Sequence, residues 1–131
     1  MLLMSDSGLR GVSVFEAEDL REWRGEHVVD PQGSKIGTLE AVYFDTAGEQ
    51  PVFATVRTGM VGRHRLVFVP LAGATVAPKH LRVQADKKLV KDAPSIAVDG
   101  ELPAADEPAI FQHYGLAYQP GASGERRLGR R

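Results

Sequence analysis

PVFATVRTGMVGRHRLVFVPL, residues Pro51 to Leu71, decides the fold. Two apolar runs, Val52 to Val56 and Leu66 to Val69, flank a loop that contains Gly59 and Gly62. β-branched and aromatic residues pack well on a pleated surface, and glycine supplies the positive φ of tight loops, so the stretch predicts a β-hairpin. Leu66-Val67-Phe68-Val69 does not alternate with polar residues, which predicts a strand covered on both faces at the centre of a small, nearly closed sheet.

Upstream, Lys35 to Asp45 predicts a long strand. Leu39, Ala41 and Tyr43 fall on one face, Glu40, Val42 and Phe44 on the other, and Ile36 is out of phase by a step that Gly37 absorbs as a bulge. His27-Val28-Val29-Asp30 predicts a short strand and Pro31-Gln32-Gly33-Ser34 a turn. Phe15, Leu20 and Trp23 predict one side of a helical turn that Gly25 ends.

Downstream, Ala74-Thr75-Val76 and Leu81-Arg82-Val83 predict two more short strands. Strands at this spacing with turn signals between them indicate an antiparallel barrel or sandwich rather than βαβ units. Asp86 is suited to cap a helical turn over Lys87 to Lys91 that stops before Pro94, with a connector from Ser95 to Gly100. A short helix follows before Gly115: Asp106 is its expected cap, Pro108 suits its first turn, and Ile110, Phe111 and Tyr114 share a docking face. The expected organisation is an N-terminal arm over 1–19, a barrel core over 20–85, a C-terminal extension over 86–116 and a disordered basic tail over 117–131.

Composition bounds the function classes. The chain has 131 residues, one domain's worth, with 16 basic against 17 acidic side chains, so no global field draws in nucleic acid or an anionic membrane. With no cysteine there is no disulfide framework, thiolate zinc site or Cys nucleophile. No run approaches the roughly 18 apolar residues of a membrane span, and MLLMSDSGLR lacks a basic n-region, so a cytoplasmic chain without membrane insertion is expected.

Placed in order, Gly25-Glu26-His27-Val28-Val29-Asp30, Gly33-Ser34-Lys35-Ile36-Gly37 and Glu40-Ala41-Val42-Tyr43-Phe44-Asp45 resemble the opening of a PRC-barrel domain. Phe68-Val69-Pro70-Leu71 with Ala74 resembles that family's middle strand. Asp92-Ala93-Pro94 and His113-Tyr114-Gly115-Leu116 resemble the extension of its free-standing bacterial members, although Pro108 departs from the usual acidic run. The resemblance spans about Leu20 to Leu116. It implies a mostly β fold, a small six-stranded, partly open antiparallel β-barrel with short flanking helices. The family includes the cytoplasmic part of the photosynthetic reaction-centre H subunit and the C-terminal half of a ribosome-maturation factor, where the barrel docks partners without a reaction of its own.

Motifs for chemistry are sparse. His27, His64, His80 and His113 show no metal-ligand spacing, and the serines lie in arms and turns without a nucleophile elbow, so no catalytic residue, metal or cofactor is expected. The carboxylates Glu16, Glu18, Asp19, Asp106 and Glu107 read as helix-start charges. The loop between the two central runs stands out: Arg57, Met60, Arg63, His64 and Arg65 gather at one barrel end. They form either a partner-binding tip or a solvated loop whose glycines only permit the turn. The expected function is a non-enzymatic adaptor that binds another protein, a second copy of itself (a homodimer) included. The alternative is an RNA- or ribosome-associated accessory factor using the loop arginines and tail residues Arg126, Arg127, Arg130 and Arg131. A small enzyme or ligand carrier would require a pocket with convergent polar groups.

Overall fold

A computed structural model describes residues 23–48, 50–59, 62–77, 80–98, 100–118 and 127–130. The hairpin forms as the sequence predicts: β3 (Pro51–Thr58) pairs antiparallel with β4 (Arg65–Pro70), in register from Phe53 opposite Pro70 to Thr58 opposite Arg65. All four residues Leu66 to Val69 are buried, as expected of a strand covered on both faces.

Around the hairpin the chain lays down β1 (His27–Val29), β2 (Lys35–Asp45), β5 (Thr75–Ala77), β6 (His80–Arg82), β7 (Ser95–Ala97) and β8 (Leu128–Arg130). They make one sheet that does not close, in the order β5-β6-β1-β2-β3-β4-β7, with β8 added to β2. The mostly β, partly open barrel with short helices is therefore the observed class. Among the described residues the sheet has eight strands rather than six: β7 takes part of the stretch expected as a connector and β8 part of the expected tail. Its pairings are antiparallel except one: β6 returns beside β1 in parallel, Leu81 opposite Val28.

The two faces bury different clusters. The barrel face holds Val28, Ile36, Leu39, Val42, Phe44, Ala54, Val56, Val67, Val69, Leu71, Ala74, Leu81, Val83 and Val90, with Trp23 packed against them. The opposite face holds Tyr43, Phe53, Phe68, Leu102, Ile110 and Leu128. Leu39 thus sits with Val42 and Phe44, not with Tyr43 as strict alternation predicts. A register shift between Leu39 and Ala41 leaves Glu40 as an extra residue, and a polar bulge residue gives no signal in an alternating pattern. The phase break expected near Gly37 is real, since the β1–β2 register also shifts there. Gly37 has no room for a side chain: a Cβ would lie 2.8 Å from Val56 Cγ1 and closer still to the Arg57 carbonyl oxygen.

Two short helices flank the sheet. Asp86 caps α1 (Lys87–Lys91) by accepting from the Lys88 N–H at 2.8 Å, and Val90 enters the barrel core. Buried Asp30 ties this helix to the β1–β2 turn, accepting from the backbone N–H groups of Ser34 (2.8 Å), Gln32 (3.0 Å) and Lys87 (3.2 Å). Burial pushes its carboxyl up, but these hydrogen bonds outweigh burial and hold it below the ordinary aspartate value.

A 3₁₀ turn, Ala104–Asp106, leads into α2 (Glu107–His113). Asp106 precedes it but makes no side-chain capping bond, whereas Pro108 occupies the first turn as predicted. The docking face also forms as predicted: Ile110 is buried, the Phe111 ring lies 5.1 Å from that of Phe53, and the Tyr114 hydroxyl donates to the Phe68 carbonyl at 2.6 Å. Burial pushes the Tyr114 phenol well above its usual range. No helix among the described residues is long and apolar enough to cross a membrane.

The disordered tail expected over 117–131 needs correction at its end, because Leu128–Arg130 is a strand and Leu128 is 1% exposed. A composition rich in Gly and Arg is outweighed there by one leucine with a socket to fill. The arm over 1–19 lies outside the described residues.

Candidate functional site

The predicted tip is built on the β3–β4 hairpin. Gly59 (φ 100°) and Gly62 (φ 83°) turn the chain in the left-handed region, and a Cβ at Gly59 would lie 2.5 Å from the Arg63 carbonyl oxygen. Of the five residues singled out from sequence, three serve the fold. Arg57 forms an ion pair with Glu40 at 3.3 Å, and Arg24 approaches the other Glu40 oxygen at 2.8 Å, so the bulge carboxylate is held between two guanidiniums. Arg65 fastens β7, its Nε donating to Ser95 Oγ at 2.7 Å and its Nη2 to the Ser95 carbonyl at 3.3 Å. His64 sets its Nδ1 3.3 Å from the Thr58 carbonyl oxygen, bracing the loop across its mouth. Arg63 is exposed and has no ion pair among the described residues. Met60 lies outside the described residues.

Beside the tip the sheet and α1 leave a groove of about 350 Å³ lined by Ile36, Thr58, Gly59, Val67, Lys87, Val90 and Lys91. Its floor is apolar, since Ile36, Val67 and Val90 belong to the barrel core. Exposed Lys87 and Lys91 make its rim cationic on the helix side. That arrangement suits an apolar side chain with a carboxylate beside it: the floor takes the first and the rim the second.

Sequence reasoning missed a second cluster, at the end of β2 and β3 away from the hairpin tip. Glu107, a helix-start charge as expected, is also fully buried. Its Oε1 accepts from the Tyr118 hydroxyl (2.8 Å) and the Arg127 N–H (2.9 Å), and its Oε2 from the Leu128 N–H (3.1 Å). Asp45 binds Arg127 through both carboxylate oxygens, at 2.8 and 3.0 Å. Burial raises the Asp45 carboxyl, but the Arg127 guanidinium and the Ala47 N–H bring it below the ordinary value. The only hint in the sequence is Leu128 itself, a lone apolar residue in an arginine-rich run.

Among the described residues no group of three or more His, Asp or Glu side chains is arranged to hold a metal. The model of the PRC-barrel domain family matches residues 15–90 of the chain. No curated protein matches.

Proposed function

The chain belongs to the PRC-barrel domain family, and from that premise we propose that it is a non-catalytic docking module that holds another protein at the hairpin-tip end of its barrel. The observation that supports this reading is the groove beside the tip, where an apolar floor meets the cationic rim of Lys87 and Lys91 with exposed Arg63 on the neighbouring loop. A partner segment that places an Asp or Glu next to a Leu, Ile, Val or Phe complements it. Arg63, Lys87 and Lys91 are the recognition residues; Arg57, His64 and Arg65 shape the surface from behind. The module operates in the cytoplasm.

The reading of an RNA- or ribosome-associated factor has less to draw on, because Arg127 is bound to Asp45 rather than free to meet phosphate.

Affinity purification from native extract tests the proposal by comparing wild type with Arg63→Glu/Lys91→Glu, two exposed positions whose reversal leaves stability within about 0.5 kcal/mol. Proteins retained by wild type are expected to fall at least tenfold on the variant. An identical retained set on both baits would overturn the assignment of the tip.

A further inference from the structure

The edge of β2 that receives β8 has the parts of a peptide reader. Backbone recognition comes from two sides. Strand addition aligns Tyr43 with Arg130, Phe44 with Gly129 and Asp45 with Leu128, and the Thr46 N–H donates to the Arg127 carbonyl at 2.8 Å. The buried Glu107 carboxylate accepts the N–H groups of Arg127 and Leu128. Side-chain recognition is equally divided. Both Asp45 oxygens accept from one guanidinium nitrogen of the arginine, Nη2, and Tyr43, Phe53, Phe68 and Ile110 close around the leucine. The carboxylate selects a cationic side chain, and an apolar socket one residue later discriminates leucine from polar residues.

Every part of the reader lies at or before residue 118, whereas the segment it reads is 127–130. The eight intervening residues, Gln119 to Arg126, carry two glycines, a serine and an alanine, the composition of a connecting segment. A second copy of the chain offers the same Arg-Leu-Gly-Arg segment with identical contacts. Exchange between copies therefore loses only the effective concentration that linkage within one chain provides.

We propose that the Tyr43–Asp45 edge with Glu107 is a recognition site for an extended Arg-Leu-Gly peptide, filled by the chain's own C-terminal strand and, by exchange, by that of a second copy. This goes beyond the hairpin-tip assignment and rests on it only for the view of the chain as a docking module. The two surfaces share no residue, so each is tested without the other.

The cysteine-free sequence makes the test direct. A Cβ added at Gly129 meets, among the described residues, only Thr46 Cγ2, at 3.4 Å, and that methyl occupies a γ position that the sulfur of a cysteine at 46 can take, so cysteines at the two positions come close enough to be joined by oxidation. Full-length Thr46→Cys and Gly129→Cys chains are mixed and oxidised, and compared with each variant alone and with the double variant. The mixture is expected to yield at least fivefold more disulfide-linked dimer than either single variant. A synthetic peptide of residues 125–131 in excess is expected to cut that yield by more than half, and adding Leu128→Asp to the Gly129→Cys chain should abolish it. Adding Arg63→Glu should leave it unchanged. If the double variant closes its internal disulfide while the mixture gives no dimer above the single-variant controls, exchange with a second copy is overturned. Failure of the double variant to close would overturn the site itself.

Discussion

The two faces of this sheet are stabilised by different means. On the barrel face, fourteen buried apolar residues drawn from most strands and from α1 pack into one cluster. On the cap face, six buried apolar residues are covered by 3₁₀ and helical turns and a three-residue strand, and the cover is fastened by named polar contacts: Tyr114 to the Phe68 carbonyl, Glu107 to two backbone N–H groups, Asp45 to Arg127. Burial on the barrel face is shared widely, so losing part of it is felt by the whole sheet. The cap depends on a few directional bonds between segments far apart in sequence, a construction that opens locally before the molecule unfolds.

The largest expected effect tests the barrel side. Leu81 is fully buried between β1 and β5, and Leu81→Ala removes its packing and leaves a cavity, at about 3 kcal/mol. Because Trp23 packs on the same cluster and is the only tryptophan, its fluorescence reports this face. Urea unfolding followed by Trp23 fluorescence and by far-UV circular dichroism should shift to the same lower midpoint. Two separated midpoints would show that the barrel face is not one cooperative unit.

A smaller and more local effect is expected from the cap. Leu128→Ala costs about 2 kcal/mol where the leucine sits, yet the Trp23 midpoint should move by no more than about 0.5 kcal/mol. Hydrogen exchange should accelerate at Leu128–Arg130 and at the facing β2 amides, and stay unchanged along β3 and β4. A drop of the Trp23 midpoint as large as that of Leu81→Ala would erase the distinction between the faces.

The same contrast explains what was legible in the sequence. Hairpin, central strand, Asp86 cap and the docking face of α2 were readable because each is written in neighbouring residues: runs of β-branched side chains, a glycine loop, a helical spacing. The cap edge is written in pairs no local pattern joins. Glu107 looks like any acidic residue at a helix start until Leu128, 21 positions later, places its N–H against it. For the same reason the tip was only half legible. Arg65 and Arg63 are indistinguishable as letters, but Ser95, 30 positions on, engages one and leaves the other exposed.

Acid separates the faces most finely, because each is tied by one aspartate whose carboxyl lies below the ordinary value of 3.8 in the folded chain. A carboxyl depressed on folding stabilises the folded state at every pH above its unfolded value. That contribution disappears as pH falls from about 4 through the folded value, where both states are protonated. Asp30 binds the β1–β2 turn to α1, so its protonation is charged to the barrel: the Trp23 midpoint should decline below about pH 4, and Asp30→Asn should flatten that decline while lowering stability at neutral pH. Asp45 holds Arg127, so its protonation is felt at the cap. Between pH 4 and 2.5 exchange at Leu128–Arg130 should accelerate, after correction for the intrinsic pH dependence of exchange, and Asp45→Asn should show the faster exchange already at pH 7 with no further acid dependence. The two substitutions should thus affect different observables. If Asp45→Asn flattened the Trp23 decline and Asp30→Asn opened the C-terminal strand, the carboxylates would be acting through a shared unit, and the division of the molecule into barrel and cap would have to be abandoned.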